Sequence, residues 1–286
     1  MKQFQWFPGH MTKALKEIQD KIKVIDIVLE LVDSRAPLAS ENPELQKIIA
    51  NKPRIRILTK KDLANDKLSD EWKKYFEQNG IPTLCLDLNN NSLSVINDLA
   101  RKLLKDKFEK EQNKGLKSRA VRYLIAGIPN VGKSTLINRL CKKKVTIAEN
   151  RPGVTKAQQW IKINKQMELL DTPGVLWPNF EDKRVGVKLA LIGTIKSSIL
   201  PMDILFSELV EFLNKNYKGL LSRYYDIEDI NIVDEKSIEK IIVAIGIKRG
   251  YLLGEGKVDE TRVITTIIKD FQNGKLGRIS LERVGE

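Results

Sequence analysis

Over the first two thirds of the chain, short continuous apolar runs alternate with longer stretches in which apolar residues recur every three or four positions. Five runs have the length and the β-branched content of buried strands: IDIVLELV (25–32), RIRIL (54–58), PTLCL (82–86), VRYLIA (121–126) and MELL (167–170). Between them, ENPELQKIIANK, SDEWKKYFEQNG and LSVINDLARKLLKDKFEK carry helical spacing. Such alternation predicts an α/β fold with a mainly parallel sheet covered by helices on both faces. A polar, Gly- or Asp-bearing motif follows each run: DSRAP, TKKD, DLNNN, GIPNVGKST and DTPG. In open parallel sheets ligands bind beyond the carboxyl ends of the strands, so the five motifs are expected along one edge.

After about residue 190 the pattern changes to helical spacing alone. DILFSELVEFLNKNY, EKSIEKIIVAIGIKRG and DETRVITTIIKDFQNGKLG read as amphipathic helices with Gly-bearing stops. The division expected is a first domain over 1–198, with the segment 1–23 included, and a small all-helical domain over 199–286. The helix-like FEDKRVGVKLALIGTIK joins the two. No internal repeat is visible.

Charge adds a candidate partner class. The 286 residues carry a formal +13, which points to nucleic acid or another polyanion. Residues 199–286 hold 13 Lys+Arg against 15 Asp+Glu, so the excess lies in 1–198, densest at 101–122 with 9 basic and 3 acidic residues. A charge run of this kind is usually a solvated helix face. Cys85 and Cys141 stand alone, without a CxxC pair, which excludes a zinc cluster and a disulfide framework and favours a reducing compartment. The most apolar early run is broken by Asp26, Glu30 and Asp33, so no membrane span is expected, and the expected location is the cytoplasm.

The chemistry sits in three motifs. Gly127 to Thr135, GIPNVGKST, fits G-x-x-x-x-G-K-[ST] between a strand-like run and the helical STLINRL. In such a loop the backbone N–H groups of Asn130, Val131, Gly132 and Thr135 surround phosphate, Lys133 reaches the terminal phosphates, and the Ser134 hydroxyl meets Mg²⁺. DTPG begins 37 residues after Ser134. Its Asp171 suits the Mg²⁺ shell, and Gly174 leaves room for an amide to approach the third phosphate. TKKD, residues Thr59, Lys60, Lys61 and Asp62, follows a strand-like run. One carboxylate accepts both N1–H and the 2-amino group of guanine, a pair adenine does not present, while the Lys60 stem can cover the base plane. With ATP, Asp62 would be left desolvated and unpaired. As four bare residues the same motif also suits a solvated loop.

Taken together these segments resemble the G motifs of the translation-factor-like GTPases in a rotated order, with the base reader at 59–62, the phosphate loop at 127–135 and DTPG at 171. That order is the mark of circularly permuted GTPases. With QWFPGHM, VDSRAPLASENP, RPGVT and the ending GKLGRISLE, the chain resembles the ribosome biogenesis GTPase A family over nearly its whole length. The resemblance implies a circularly permuted P-loop GTPase domain, GTP as substrate and Mg²⁺ as cofactor. It also implies an assembly role on the precursor of the large ribosomal subunit and its rRNA, with no membrane and no DNA partner. It carries Thr155 over as the switch threonine on Mg²⁺, and Asp87 and Leu88 as the loop beside the guanine carbonyl. Thr59 stands where GTPases more often have Asn, and Ala36 replaces a bulkier residue of DSRAP-like stretches, so that motif is read as a strand-end turn. RNA contact is expected at Lys248, Arg249, Lys275, Arg278 and Arg283, with 101–122 as an equal candidate.

One position departs from the usual hydrolytic apparatus. Many GTPases place Gln directly after the D-x-x-G glycine to orient the attacking water, and here that residue is Val175. His10, the only histidine, is a substitute whose neutral imidazole suits directing water. The resemblance implies that role. A solvated His10, with Trp6 and Phe7 only pinning the N-terminus, is the alternative. Asn130 could hold K⁺ against the phosphates, or be an ordinary polar loop residue. Two other functions fit the residues: a K⁺-dependent GTPase of tRNA modification, and a nucleotide-gated RNA-binding scaffold with negligible turnover.

Overall fold

The computed structural model describes residues 9–116, 119–143, 159–177, 180, 182–195, 200–230 and 234–286, with backbone alone at 9, 10 and 235. Six strands form one sheet: β1 (Ile27–Asp33), β2 (Arg54–Thr59), β3 (Thr83–Leu86), β4 (Val121–Gly127), β5 (Gln159–Asn164) and β6 (Met167–Asp171). Their spatial order is β3-β2-β1-β4-β6-β5. All neighbours run parallel except β5, which pairs antiparallel with β6. The α/β fold and its five expected strands are therefore present.

The register explains why the motifs share an edge. Asp33 lies opposite Thr59, Thr59 opposite Leu86, Leu31 opposite Gly127, and Ile125 opposite Asp171. Five strands thus end within a residue or two of one line, and their following loops face the same space. The central strand β1 is buried at every position, as a parallel strand covered on both faces must be. Strand β5 escapes the apolar-run criterion because it is an edge strand, mostly exposed, whose pairing comes from the tight turn into β6.

Successive strand residues feed opposite faces. Val28, Leu124, Ala126 and Leu170 pack on one side with Ile18 of helix α1 (Gly9–Lys21) and with Leu45 and Ile49 of α2 (Pro43–Ile49). Val32 and Leu58 extend that side to Trp72 and Phe76 of α3 (Asp66–Gln78). Ile27, Leu29, Leu31, Ile125 and Leu169 turn to the other side, towards α4 (Ser94–Asn113), α5 (Lys133–Cys141) and α6 (Lys183–Leu191). Asn42 and Asn65 cap α2 and α3 by accepting backbone N–H bonds from the first helical turns. A buried ion cluster supports the first face: Arg56 donates to both Glu30 and Glu41, and its guanidinium lies 4.3 Å from the centre of the Phe76 ring. Burial pushes the Glu30 carboxyl up while Arg56 pulls it down.

Helices α7 (Met202–Asn216), α8 (Leu220–Tyr225), α9 (Glu235–Arg249) and α10 (Glu260–Gln272) follow. Their apolar faces continue the sheet's own core, so Leu209, Leu221, Ile245 and Phe271 belong to one cluster with Leu29 and Ile125. Beyond α10 the chain leaves the helices and returns to the sheet domain as a strap. Ile279 N–H donates to Leu63 O at 3.0 Å, Leu281 N–H to Arg35 O at 2.6 Å, and Trp72 Nε1–H to Glu282 O at 3.3 Å. The Glu282 carboxylate accepts from the backbone N–H groups of Leu38 and Ala39 and pairs with Lys188 at 3.0 Å.

Trp72 joins helix α3, the sheet and the strap, so its truncation tests whether the strap is structural. Trp72→Ala should cost about 3–5 kcal/mol in urea unfolding. Trp72→Phe, which keeps most of the packing but removes the donor to Glu282, should cost about 1 kcal/mol. Loss below about 1 kcal/mol for the alanine variant contradicts this packing.

Candidate functional site

The phosphate loop is a strand-to-helix connection under tight backbone constraint. At Gly127 an added Cβ would sit 2.5 Å from the Leu31 carbonyl oxygen of β1, so the close approach of loop and strand requires glycine. Asn130 takes a left-handed conformation (φ 58°), and Gly132 (φ 104°) opens helix α5. Lys133, Ser134 and Thr135 form the first turn of that helix, where unpaired N–H groups favour an anion. The Lys133 ammonium is buried and donates to Gly127 O at 3.1 Å and Ile128 O at 2.7 Å. Burial pulls its pKa down, and Asp171 opposes that.

Asp171 ends β6 next to this loop. Both carboxylate oxygens are buried without a hydrogen-bond partner of ordinary geometry. Burial pushes the carboxyl up, with Lys133 and then Gln159 easing the charge. A buried orphan carboxylate facing an ammonium and a helix N-terminus fits a divalent cation shared with phosphate oxygens. No cluster of three or more His, Cys, Asp or Glu able to hold a metal by itself is present among the described residues. Thr172 Oγ1 donates to Ile125 O at 2.8 Å and fixes the turn after Asp171. A Cβ at Gly174 would lie 2.6 Å from Pro129 Cα and 2.9 Å from Lys133 Nζ, which puts the DTPG backbone directly on the phosphate loop.

Val175 is fully buried; its N–H donates to Gly127 O at 3.3 Å and its carbonyl accepts from Asn42 Nδ2 at 2.9 Å. It has neither the side-chain chemistry nor the exposure to orient water. The next residue, Leu176, donates its N–H to Met11 Sδ at 3.5 Å. Met11 belongs to the first turn of α1, so His10 precedes a residue whose side chain touches the segment just after DTPG, while the His10 side chain lies outside the described residues. Thr155 also lies outside them.

The base-reader motif reaches the same loop from β2. Thr59 Oγ1 lies 2.7 Å from Val131 O and 3.1 Å from Val32 O, two acceptors for its one proton. Lys60 follows in a left-handed conformation (φ 55°), and Lys61 and Asp62 enter the 3₁₀ turn Lys61–Leu63. Desolvation and then the neighbouring Asp87 raise the Asp62 carboxyl. The Asp87 carboxylate accepts from Asn89 N–H at 2.8 Å and holds its own loop. Leu88 is buried; its Cδ1 lies 2.9 Å from where a Cβ on Gly132 would be, and its carbonyl accepts from Arg139. Thr59, Leu88, Val131, Gly132, Lys133 and Gly174 thus form one line of close approaches, with the Asp171 charge felt at Lys133 at one end and the Asp87 charge felt at Asp62 at the other.

Sequence reading missed three residues here. Asp33 and Arg35, treated as part of a strand-end turn, make a buried bidentate ion pair at 2.9 Å. Asn42 carries the contact to Val175. An acid and a base two residues apart at the end of a largely apolar run were the available signal for the first two. Asn42 offered only its helix-capping position. Asn130 has a partner the sequence did not suggest: its Nδ2 donates to Gly193 O at 2.7 Å, after helix α6, which turns Oδ1 away from that contact.

Comparisons with known proteins agree with this geometry. The family described as "50S ribosome-binding GTPase" matches residues 122–244, a range that begins at β4 and leaves the base-reader motif upstream. The chain is 48% identical over 280 residues to "Ribosome biogenesis GTPase A" of Bacillus licheniformis, covering 98% of each protein. It is 45% identical to the protein of the same description from Bacillus pumilus, again over 98% of each. Among solved structures, GNP-bound YlqF from T. maritima superposes with a TM-score of 0.68 at 26% identity, over 96% of this chain and 99% of that one.

The Lys133–Asp171 pair gives the nucleotide-free protein a defined pH response. Asp171 keeps its proton in the folded state where the unfolded chain has lost it. Stability should therefore fall as pH rises from the ordinary aspartate range towards neutrality. Lys133, held below its ordinary value, makes stability rise again with alkaline pH. Urea unfolding from about pH 4 to about pH 7 should show Asp171→Asn losing the acid-side fall, by about 1 kcal/mol or more relative to wild type. Parallel curves for the two proteins rule the shift out.

Proposed function

The chain belongs to the ribosome biogenesis GTPase A family, and from that premise we propose that it assembles the large ribosomal subunit, binding pre-ribosomal particles with GTP and leaving them with GDP. It is a circularly permuted GTPase that converts GTP and water to GDP and phosphate. The observation that carries the site assignment is the Thr59–Val131 contact, which joins the base-reader strand to the phosphate loop despite their separation in the chain.

In this reading the backbone from Asn130 to Thr135 surrounds the phosphates, and Lys133 leaves the Gly127 and Ile128 carbonyls for the phosphate oxygens. Ser134, Thr155 and Asp171 hold Mg²⁺, which supplies positive charge to the β- and γ-phosphates. Asp62 takes the two guanine donors, while Lys60, Lys61, Asp87 and Leu88 border the base. Gly174 lets the DTPG amide approach the γ-phosphate. Because Val175 is sealed in the core, His10, next to the Met11–Leu176 contact, directs the attacking water. Asn130 Oδ1 is the K⁺ ligand, since its Nδ2 is engaged by Gly193.

The phosphate loop is bonded through Asn130 to Gly193, in the segment that leads into the helical part, and by that route phosphate contacts can bias how that part sits. Of the basic residues expected to touch rRNA, Lys275 pairs with Asp270, Arg278 with Asp66, and Lys248 with Asp226. The Arg249 guanidinium lies over Tyr225, and Arg283 lies 3.9 Å from Glu286. In the 101–122 stretch, Lys107 and Arg119 pair with Asp26. Lys102, Lys110 and Lys114 of that stretch are exposed, as are Lys236 and Lys240 of α9, and we assign rRNA contact to these cations together with the residues named above, whose surface ion pairs can exchange for phosphate. No helix among the described residues is long and apolar enough to cross a membrane. In this reading the protein acts in the cytoplasm, where ribosomes are assembled.

Sedimentation with large subunits tests the function: co-sedimentation with a GTP analogue and release with GDP is expected, and equal binding in all nucleotide states overturns it. His10→Ala should leave nucleotide affinity within about twofold and lower subunit-stimulated turnover by roughly a hundredfold. Unchanged stimulated turnover removes the role of His10. Hydrolysis should be faster in K⁺ than in Na⁺, and equal rates exclude the Asn130 site.

A further inference from the structure

Asp33, at the carboxyl end of β1, is almost wholly buried, and its carboxylate is contacted from two directions. Arg35 supplies a backbone N–H at 3.0 Å and two guanidinium bonds at 3.0 and 2.9 Å. Lys60 brings its ammonium to the same carboxylate at 2.9 Å. A structural ion pair needs only the arginine, which already engages both carboxylate oxygens. The lysine comes from the base-reader motif, and its backbone is left-handed at a non-glycine residue, a conformation that persists only when its surroundings over-determine it.

The turn that carries Asp62 is held at both ends. On one side Lys60 is fastened to Asp33. On the other, Leu63 O accepts the Ile279 N–H and the Asn65 N–H donates to Ser280 Oγ at 3.1 Å, both in the C-terminal strap. Arg35 ties the two sides together. Its guanidinium donates to Ile192 O at the end of α6 and to Gln272 O of α10 in the helical part, and its own carbonyl accepts the Leu281 N–H of the strap. A single residue, Lys61, separates Lys60 from Asp62, so the orientation of the Asp62 carboxylate follows from whether Lys60 is fixed.

We propose that Asp33 is a positioning residue for guanine selection: by holding the Lys60 ammonium it fixes the left-handed turn that presents Asp62 to the base. The proposal rests on the reading of Asp62 as the partner of the two guanine donors. Asp33 itself does not meet the nucleotide. Its effect is on discrimination between bases and not on the grip of the phosphates.

The test compares binding of GDP with that of inosine diphosphate, which lacks the 2-amino group, by calorimetry on the full chain. Wild type should prefer GDP. Asp33→Asn should shrink that preference by at least about fivefold, chiefly through lost GDP affinity. Because Asp33→Asn leaves a buried Arg35 unpaired and can fail to fold, Lys60→Met provides the second arm. It keeps the side-chain stem and the Asp33–Arg35 pair but removes the ammonium, and it should shrink the preference equally. Lys60→Arg, which keeps a cation for Asp33, should retain it. An unchanged preference in Lys60→Met, or an equal loss of both nucleotides, overturns the positioning role. A wild-type protein that binds the two alike removes the Asp62 reading first, and this inference with it.

Discussion

The Thr59 hydroxyl lies 2.7 Å from the Val131 carbonyl and links two halves of a site that the chain presents in reversed order. A parallel sheet makes the contact possible, because strands β1, β2 and β4 lie side by side whatever order they occupy in the sequence. The energetic requirement is that each strand end on the same edge in the right register, and Asp33 opposite Thr59 and Leu31 opposite Gly127 meet it. Permuting the order of motifs changes which loops are closed, and loop-closure entropy varies only slowly with loop length. What cannot change is the contact itself. A hydroxyl at position 59 is short enough to let Leu88 and Gly132 approach each other beside it.

Around that contact the protein stores charge in pairs that burial would otherwise penalise heavily. Lys133 and Asp171 face each other at the phosphate edge, each displaced from its ordinary pKa by desolvation and drawn back by the other. Asp33, with Arg35 and Lys60, does the same at the base edge, and there the cations hold the carboxyl well below the usual range despite its burial. The two arrangements differ in completeness. The base-edge cluster is fully bonded within the protein. Asp171 is left without a partner of ordinary geometry, which fits the proposed sharing of a cation with phosphate.

The helical part is joined to this chemistry by backbone acceptors and not by a separate interface of its own. Arg35 bonds Ile192 and Gln272, Asn130 bonds Gly193, and the strap from Ile279 to Glu282 returns to Leu63, Arg35 and Trp72. A continuous apolar cluster runs beneath these bonds from Leu29 to Phe271. With packed cores discontinuous in their response to displacement, small changes at the phosphate loop and the base reader have direct mechanical routes into the C-terminal helices.

How much of this was readable before any coordinates existed follows from the range of the interactions. Strands β1, β2, β3, β4 and β6, most of the helices, the phosphate loop and DTPG were legible because each is written in contiguous residues with its own period or spacing. Strand β5 was not, since an exposed edge strand lacks an apolar run and owes its place to pairing with β6. The first helix did carry its signal, since buried Met11, Ala14 and Ile18 stand at i, i+3 and i+7 among polar residues, but it was not picked out. Among the charged residues, local sequence could not separate Lys275 and Arg278, whose acids lie on α10 and α3, from Lys236 and Lys240, exposed on α9. The sequence by itself thus determined the elements and the kind of chemistry, because periodicity and motif spacing are local properties. Only the tertiary structure decided that Asp33 holds Lys60, that Arg35 reaches the helical part and that Val175 is sealed, because each depends on groups brought together from distant segments of the chain.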